Sequence, residues 1–488
     1  MQSVAAGTIY IALFMTISKI LGLFRNILTA ALFGTSWRLD AIFIALKPAS
    51  VAVSLFAGAT ATALVPVYVD LRLKDEEKAK EYAWNVLFWI AVVYLLVSSL
   101  FFLFPGWIVR VFAPGFKEEI LEYAARKMKY VAVFMVIMAL QTVLSSLMRS
   151  SRKFFQYGLS MVFYNVFAIP VLWLTADDFG EAAYILSTIV GQFSVLFAMT
   201  VLFWRHLRIS PPSFSLVKGT LKSSSVLTTS NAISAINPVV DNAFASLLPS
   251  GSISSLNYSL IILNQFQAFV GIFVQTSYTE LAEGVSRGDE VLTIGRMRKT
   301  VESSTRVILP LVLWLVAMPD FFISILLERG AFTSRSTALV SAAIAGYALV
   351  AVVAPISGMI NQYLVSIGRL RVIFLMSLSS IFLNAFFDWV FMKPLKHAGI
   401  ALSTSMVALF STIVRYVYSR KFLEDYIPWK GIAVRLLLGI PLVLAVWKME
   451  GFGKIVLGNA MFGSFFLWSA RDEISTIYKK IVGKIRRG

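Results

Sequence analysis

Apolar runs of about 20 residues, each bounded by charge, proline or glycine, recur along the whole of this 488-residue chain. A run of that length in hydrocarbon has no water to satisfy its peptide groups, so it must bond them internally as a helix. The runs centre near Thr16, Ser54, Val93, Met138, Val166, Val190, Ala235, Gln267, Val312, Leu349, Ser379, Val407, Leu438 and Phe462. They predict an all-α polytopic membrane protein of roughly fourteen transmembrane helices. Composition agrees: 58% of residues are hydrophobic and 14% charged, more apolar surface than a soluble core of this length could hide. The first run lacks a small-residue cleavage site and is expected to stay as a span.

Charge and residue usage exclude several function classes. There is no cysteine, hence no disulfide or thiolate chemistry, and His206 and His397 stand too far apart in sequence to suggest a zinc or haem site. The net charge of +18 sits mainly in loops between apolar runs, where Lys and Arg set topology and meet anionic headgroups rather than nucleic acid. No phosphate-loop motif or soluble ATPase-sized stretch appears, so uphill movement must draw on an ion gradient, the membrane potential or a partner.

An even number of spans puts both termini on one side. Loops sharing a face with the Lys479–Arg487 tail include Arg72–Lys80, Arg149–Lys153, Arg205–Lys222, Arg287–Lys299, Arg369–Arg371 and Arg420–Lys430. They hold roughly 26 Lys and Arg against roughly 12 opposite, which predicts cytoplasmic termini. The Ser- and Pro-rich connection Arg205–Lys222 follows the sixth run and suggests two six-helix lobes around a central cavity. The expected divisions are an N-terminal lobe over 1–210, a C-terminal lobe over 211–425, and two further helices with a basic tail over 426–488. Those last two, poor in polar residues, are expected to pack outside the lobes or to meet lipid.

Three polar constellations lie inside the apolar runs. Lys19, Arg25, Asn26, Asp40 and Lys47 occupy the first two, and Pro48 is expected to interrupt the second helix and open backbone groups to a cavity. They read either as a basic pocket for an anionic headgroup with Asp40 as counter-ion, or as snorkelling lysines beside a structural Arg25–Asp40 pair. Asn384 and Asp388 are one helical turn apart; with Asp241, and Thr404 on the next helix, they offer oxygen donors suited to a hard cation or a shared proton. Plain hydrogen bonding of protonated carboxyls is the alternative. Asn257, Asn264 and Gln267 share a face of the eighth run, as polar contacts between helices or as a surface for sugar or peptide groups.

The run Ser18-Lys19-Ile20-Leu21-Gly22-Leu23-Phe24-Arg25, then Phe33-Gly34, Asp40-Ala41 and Phe56-Ala57 leading to Val65-Pro66, resembles the opening of the MurJ/MviN lipid II flippases. These belong to the multidrug/oligosaccharidyl-lipid/polysaccharide exporter superfamily. Ala113-Pro114-Gly115-Phe116, Ser250-Gly251-Ser252, Gly330-Ala331-Phe332-Thr333 and Pro394-Leu395-Lys396-His397-Ala398-Gly399 extend the resemblance over nearly the whole chain. It implies fourteen helices, a cationic central cavity, a groove for a lipid tail and alternating access. By position, Arg25 matches a family cavity arginine, Asp40 a family aspartate, and Lys19 a position that is often basic. Asp241, Asn384, Asp388, Ile400 and Thr404 stand where the family's sodium site is described, so a sodium ion is the implied coupling ion and no other cofactor is expected.

The chain departs from the family where arginines would grip pyrophosphate: Val53 and Ser54 replace a second-helix pair, Ile261 an eighth-helix arginine, and Asn26 and Ala57-Gly58 replace acidic positions. The expected activity is non-enzymatic transport of a polyprenyl-pyrophosphate-linked peptidoglycan precursor in the bacterial cytoplasmic membrane, by a monomer surrounded by lipid. The alternatives are another polyprenyl-linked glycan as cargo, or cation-coupled drug export, for which a basic cavity has the wrong sign.

Overall fold

A computed structural model describes residues 4–475, and the described chain is helical with short connections. Two compact units are distinguished: the described chain up to Ser254 together with Arg329–Thr333, and Ser255–Glu328 together with the described chain from Ser334 onward. Packing therefore divides at Ser254, one long helix later than the basic connection near residue 210 suggests. Among the described residues, eleven helical stretches are long and apolar enough to cross a membrane. The centres expected near Ala235, Gln267 and Phe462 fall in helices outside those eleven.

In the first unit, α1 (Val4–Phe33) is followed by α2 (Trp37–Ala52), a π-helical turn (Val53–Ala57) and α3 (Gly58–Lys74), which run on as one stretch. Then come α4 (Glu76–Leu103), short α5 (Pro105–Phe112), α6 (Glu118–Ser150), α7 (Phe154–Phe179), α8 (Ala182–Phe203) and α9 (Phe214–Ala245). Local sequence sets the starts. Ser36 caps α2 by accepting the Leu39 amide at 3.1 Å, Asp75 caps α4 through the amides of Glu77 and Lys78, and Pro105 opens α5 where no N–H is needed. The core runs between α3, α4 and α6 through Tyr68, Val86, Tyr94, Val131, Phe134 and Val143.

The second unit holds α10 (Ser252–Ser286, entered from Ser255), α11 (Glu290–Ala317), α12 (Pro319–Leu327), α13 (Ser334–Ser366), α14 (Leu370–Leu395), α15 (His397–Ser419), α16 (Trp429–Trp447) and α17 (Gly451–Ser469). Within it the order of α11–α15 repeats that of α4–α8. The helices α4 and α11 each have 28 residues, α6 and α13 each 33, and α7 and α14 each 26. Between the first two of these in each half lies a short helix opened by proline, of 8 residues in α5 and 9 in α12. The halves are thus two copies of one plan, which residue identity between them does not display.

Lipid tails are as apolar as leucine, so helices in a membrane are held by close approach and polar contacts rather than by a hydrophobic drive. Gly346 on α13 lets α15 approach until an added Cβ would lie 2.7 Å from Ala401, and Ser405 donates to the Gly346 carbonyl at 2.6 Å. The helices α16 and α17 attach to α11 through Ala317, Val443, Val446, Phe462 and Phe465, while Leu437 and Phe452 remain exposed. The attachment is more polar than the sequence suggests. Arg435 is buried and bonds Ser469 at 3.1 Å, Ser469 donates to the Arg306 carbonyl, and Arg306 pairs with Glu302 at 2.8 Å.

Candidate functional site

The α1 residues Phe14, Ser18, Gly22 and Arg25 recur every three or four positions and so form one stripe, which packs on α7. Phe14 lies against Gly158, where a Cβ would come within 2.8 Å of its ring. Ser18 donates to the Met161 carbonyl at 3.1 Å, and the Asn165 amide donates to the Ser18 carbonyl at 2.9 Å. At the top of the stripe, Arg25 donates to the hydroxyl of Tyr164. Its guanidinium carbon lies 4.8 Å from the centroid of that ring and 5.6 Å from that of Tyr184 on α8.

Among the described residues no carboxylate pairs with Arg25, and its buried Nε–H has no hydrogen-bond partner. A guanidinium held by two ring faces and a phenol keeps its full positive charge, because cation–π contact orients it without neutralising it. It retains donor capacity for an anion. Tyr164 and Tyr184 carry this arrangement, and sequence reading did not single them out. Tyr164-Asn165, a polar pair inside the apolar run of α7, was the available signal.

Asp40 is not the counter-ion of Arg25. Its two carboxylate oxygens accept the backbone amides of Gly251 at 2.7 Å and Ser254 at 2.6 Å, and the side chain is buried. Those amides belong to the start of α10, where the first N–H groups of a helix have no partner of their own and favour negative charge. Asp40 is therefore a cap supplied from α2 to a helix 211 residues further on.

Lys47 is half-buried and feels the charge of Asp241 on α9. Phe43, one turn before Lys47, packs edge-on against Tyr184 at 5.5 Å, so α2 and Arg25 share an aromatic wall. Asn26 is half-buried and Lys19 is exposed.

The second helix is not interrupted at Pro48, as expected, but at Val53. The helix runs through the proline to Ala52, and the π-helical turn follows. Tyr94 from α4 enters the ladder there, donating to the Ala52 carbonyl at 2.8 Å and accepting the Ala57 amide at 3.0 Å. The proline removes a single N–H, whereas the inserted phenol rewires groups on both sides of the turn. Val53 and Ser54, where the resemblance implies arginines, fall within this turn, with Val53 buried and Ser54 exposed; Ile261 on α10 is half-buried.

In the second unit, the Asn384 side-chain amide donates to Asp388 at 3.3 Å, and both residues are buried on α14. Gly399 brings the start of α15 so close that an added methyl would overlap the Phe391 carbonyl. That approach sets Ser403 against the Asn384 carbonyl, to which it donates at 3.1 Å. Thr404 donates to the Ile400 carbonyl at 3.2 Å, and Ile400 is buried. The structure thus brings Asn384, Asp388 and the first turns of α15 together and adds Ser403; Asp241 belongs to the first unit. The donors are all oxygens, a set that fits a hard monovalent cation.

Comparison with known proteins bears on what such a site serves. The model of the family described as lipid II flippase MurJ matches residues 29–470. A Rickettsia prowazekii protein named probable lipid II flippase MurJ is 23% identical over 424 residues, covering 85% of this chain and 83% of its own. Among solved structures, lipid II flippase MurJ in an inward closed conformation aligns with a TM-score of 0.80 at 22% identity, over 96% of this chain and all of that one. An inward-facing multidrug resistance MATE family transporter of the MOP superfamily aligns with a TM-score of 0.72 at 13% identity, over 85% of this chain and 97% of its own. The two structures speak for the fold, and the family match, running from the end of α1 beyond α17, speaks for descent: this multi-pass membrane protein belongs to the lipid II flippase MurJ family.

Proposed function

We propose that the chain is a flippase that moves a polyprenyl-pyrophosphate-linked peptidoglycan precursor, lipid II, across the bacterial cytoplasmic membrane by alternating access. The observation that carries this reading is Arg25: an intramembrane cation oriented by two tyrosines, with no carboxylate partner among the described residues and a buried N–H to offer. A pyrophosphate brought to this wall supplies the missing negative charge. Lys47 and Lys19 add positive potential from α2 and α1. No covalent bond is made or broken, so the chain acts as a carrier rather than an enzyme. Both termini lie in the cytoplasm, the side that the excess of loop charge favours, and the carrier works as a monomer.

Sodium is the coupling ion in this reading, held in the second unit by Asn384, Asp388 and Thr404 with the Ile400 carbonyl. Bound sodium supplies positive charge that favours whichever conformation gathers these oxygens. A second reading, another polyprenyl-linked glycan as cargo, is favoured by Val53, Ser54 and Ile261, which leave the anion grip lighter than the family pattern.

The test is complementation of a bacterium depleted of its lipid II flippase. The chain restores growth and Arg25→Ala does not, at equal membrane abundance. Full growth with Arg25→Ala overturns the role of the arginine, and failure of the unaltered chain at good abundance favours the other glycan. For the ion, sodium raises the thermal midpoint of the purified protein and Asp388→Ala abolishes that rise; equal responses overturn the sodium assignment.

A further inference from the structure

Four helix termini of the first unit meet around a cavity of about 400 Å³: the end of α3, the turn from α6 into α7, the start of α4, and the short turn after α8. Its lining is strongly one-signed. Arg72, Arg152, Lys153 and His206 face it with a single carboxylate, Glu76, which lies 3.8 Å from Lys80. Among the described residues none of Arg72, Arg152 and Lys153 is ion-paired; Arg72 donates to the Ser150 carbonyl at 2.9 Å.

The α7 helix, 26 residues long, begins here without a side-chain cap, so its positive end adds to the field. Among the described residues the Gln156 side-chain oxygen, buried in the wall, has no partner, which leaves an acceptor for a hydroxyl or ammonium hydrogen. Arg152 has φ of +56°, a left-handed conformation where glycine or asparagine would sit at ease, yet the residue is an arginine. Leu73, Phe155 and Trp204, next or close in sequence to these residues, are exposed, as expected where acyl chains begin.

We infer that this cavity binds the phosphate of an anionic phospholipid headgroup, at a site separate from the Arg25 wall. The phosphate is held by Arg72, Arg152 and Lys153, and a headgroup hydroxyl meets Gln156. The cavity has the volume of a small-ligand site, and its surplus of at least two positive charges discriminates against zwitterionic lipids. By loop charge it opens on the cytoplasmic leaflet, so the bound lipid is drawn from the inner surface.

The experiment is native mass spectrometry of the full-length protein with titrated phosphatidylglycerol or phosphatidylcholine, repeated with millimolar inorganic phosphate. The unaltered chain retains phosphatidylglycerol in preference to phosphatidylcholine. The double variant Arg152→Gly with Lys153→Ala weakens phosphatidylglycerol binding about tenfold or more, from two charges lost at a membrane surface. Glycine suits the backbone at 152, so the variant keeps its thermal midpoint and lost binding is not lost folding. Arg110→Ala, a cation elsewhere on the unit, leaves retention unchanged. Equal phosphatidylglycerol retention by the double variant overturns the site. If inorganic phosphate binds and the double variant loses it while lipid retention is unaffected, the membrane source is overturned and the ligand is a soluble phosphate.

Discussion

Arg25 and Asp40 are intramembrane charges on successive helices of one unit, and they meet opposite fates. Asp40 has an amide on each oxygen and is closed to further chemistry, while Arg25 is oriented by ring faces and keeps a buried N–H unused. A buried charge that is fully hydrogen-bonded belongs to the architecture; one that is positioned but not neutralised is available to a ligand. Sequence reading placed both in one pocket. What separates them is a pair of amides 211 residues away and two tyrosines on α7 and α8.

That contrast can be broken most directly at Asp40. Asp40→Asn turns one acceptor into a donor facing an amide and is expected to lower stability by about 2–4 kcal/mol, the cost of leaving buried amides unsatisfied. Thermal or denaturant unfolding measures it, and an unchanged midpoint would mean that the cap is not structural. Arg25→Gln is expected to do the reverse. Stability stays within about 1 kcal/mol, because little hydrogen bonding is lost, while cargo binding falls by about ten- to a hundredfold, the weight of a charge-assisted hydrogen bond. Arg25→Lys does not restore binding, since an ammonium lacks the planar fork.

A smaller effect is expected from Tyr164→Phe, which removes the hydroxyl that orients Arg25 but keeps the ring: binding weakens roughly threefold to tenfold at unchanged abundance, about the worth of one hydrogen bond. The smallest concerns Asp75, which caps α4 in full contact with water. The Lys78 backbone amide, with help from the Lys78 charge and the Glu77 amide, holds its carboxyl below the ordinary value of 3.8. A folded-state pKa that is depressed stabilises above the unfolded value and loses that contribution as pH falls through the folded one. Asp75→Ala therefore shifts the thermal midpoint slightly at neutral pH and not at all near pH 2.

Much of the fold was legible because hydropathy reports directly on length and burial. Each expected span centre falls within a helical stretch, and Asn384 and Asp388 share a face as their spacing requires. What stayed hidden depends on contacts remote in sequence. The partner of Asp40, the role of Tyr184 and the burial of Arg435 beside Ser469 and Glu302 are set by helices whose neighbours no local pattern names. The break at Val53 rather than Pro48 came from Tyr94 on another helix. The internal repeat was invisible for a different reason: it is conserved in helix lengths and in proline-opened short helices, quantities that identity does not measure.

One feature of the first unit reaches beyond the folded state. The residues Arg329–Thr333 pack with it, although they lie far along the chain. There the Ala331 amide donates to the Ala31 carbonyl at 2.7 Å, at the end of α1. Gly34 and Gly330, both with φ of +57°, approach so closely that a methyl on either would overlap the backbone facing it. A ribosome must therefore have polymerised more than three hundred residues before the N-terminal unit can be completed. Until those residues are made, the last turn of α1 lacks the backbone that seals it in the folded chain.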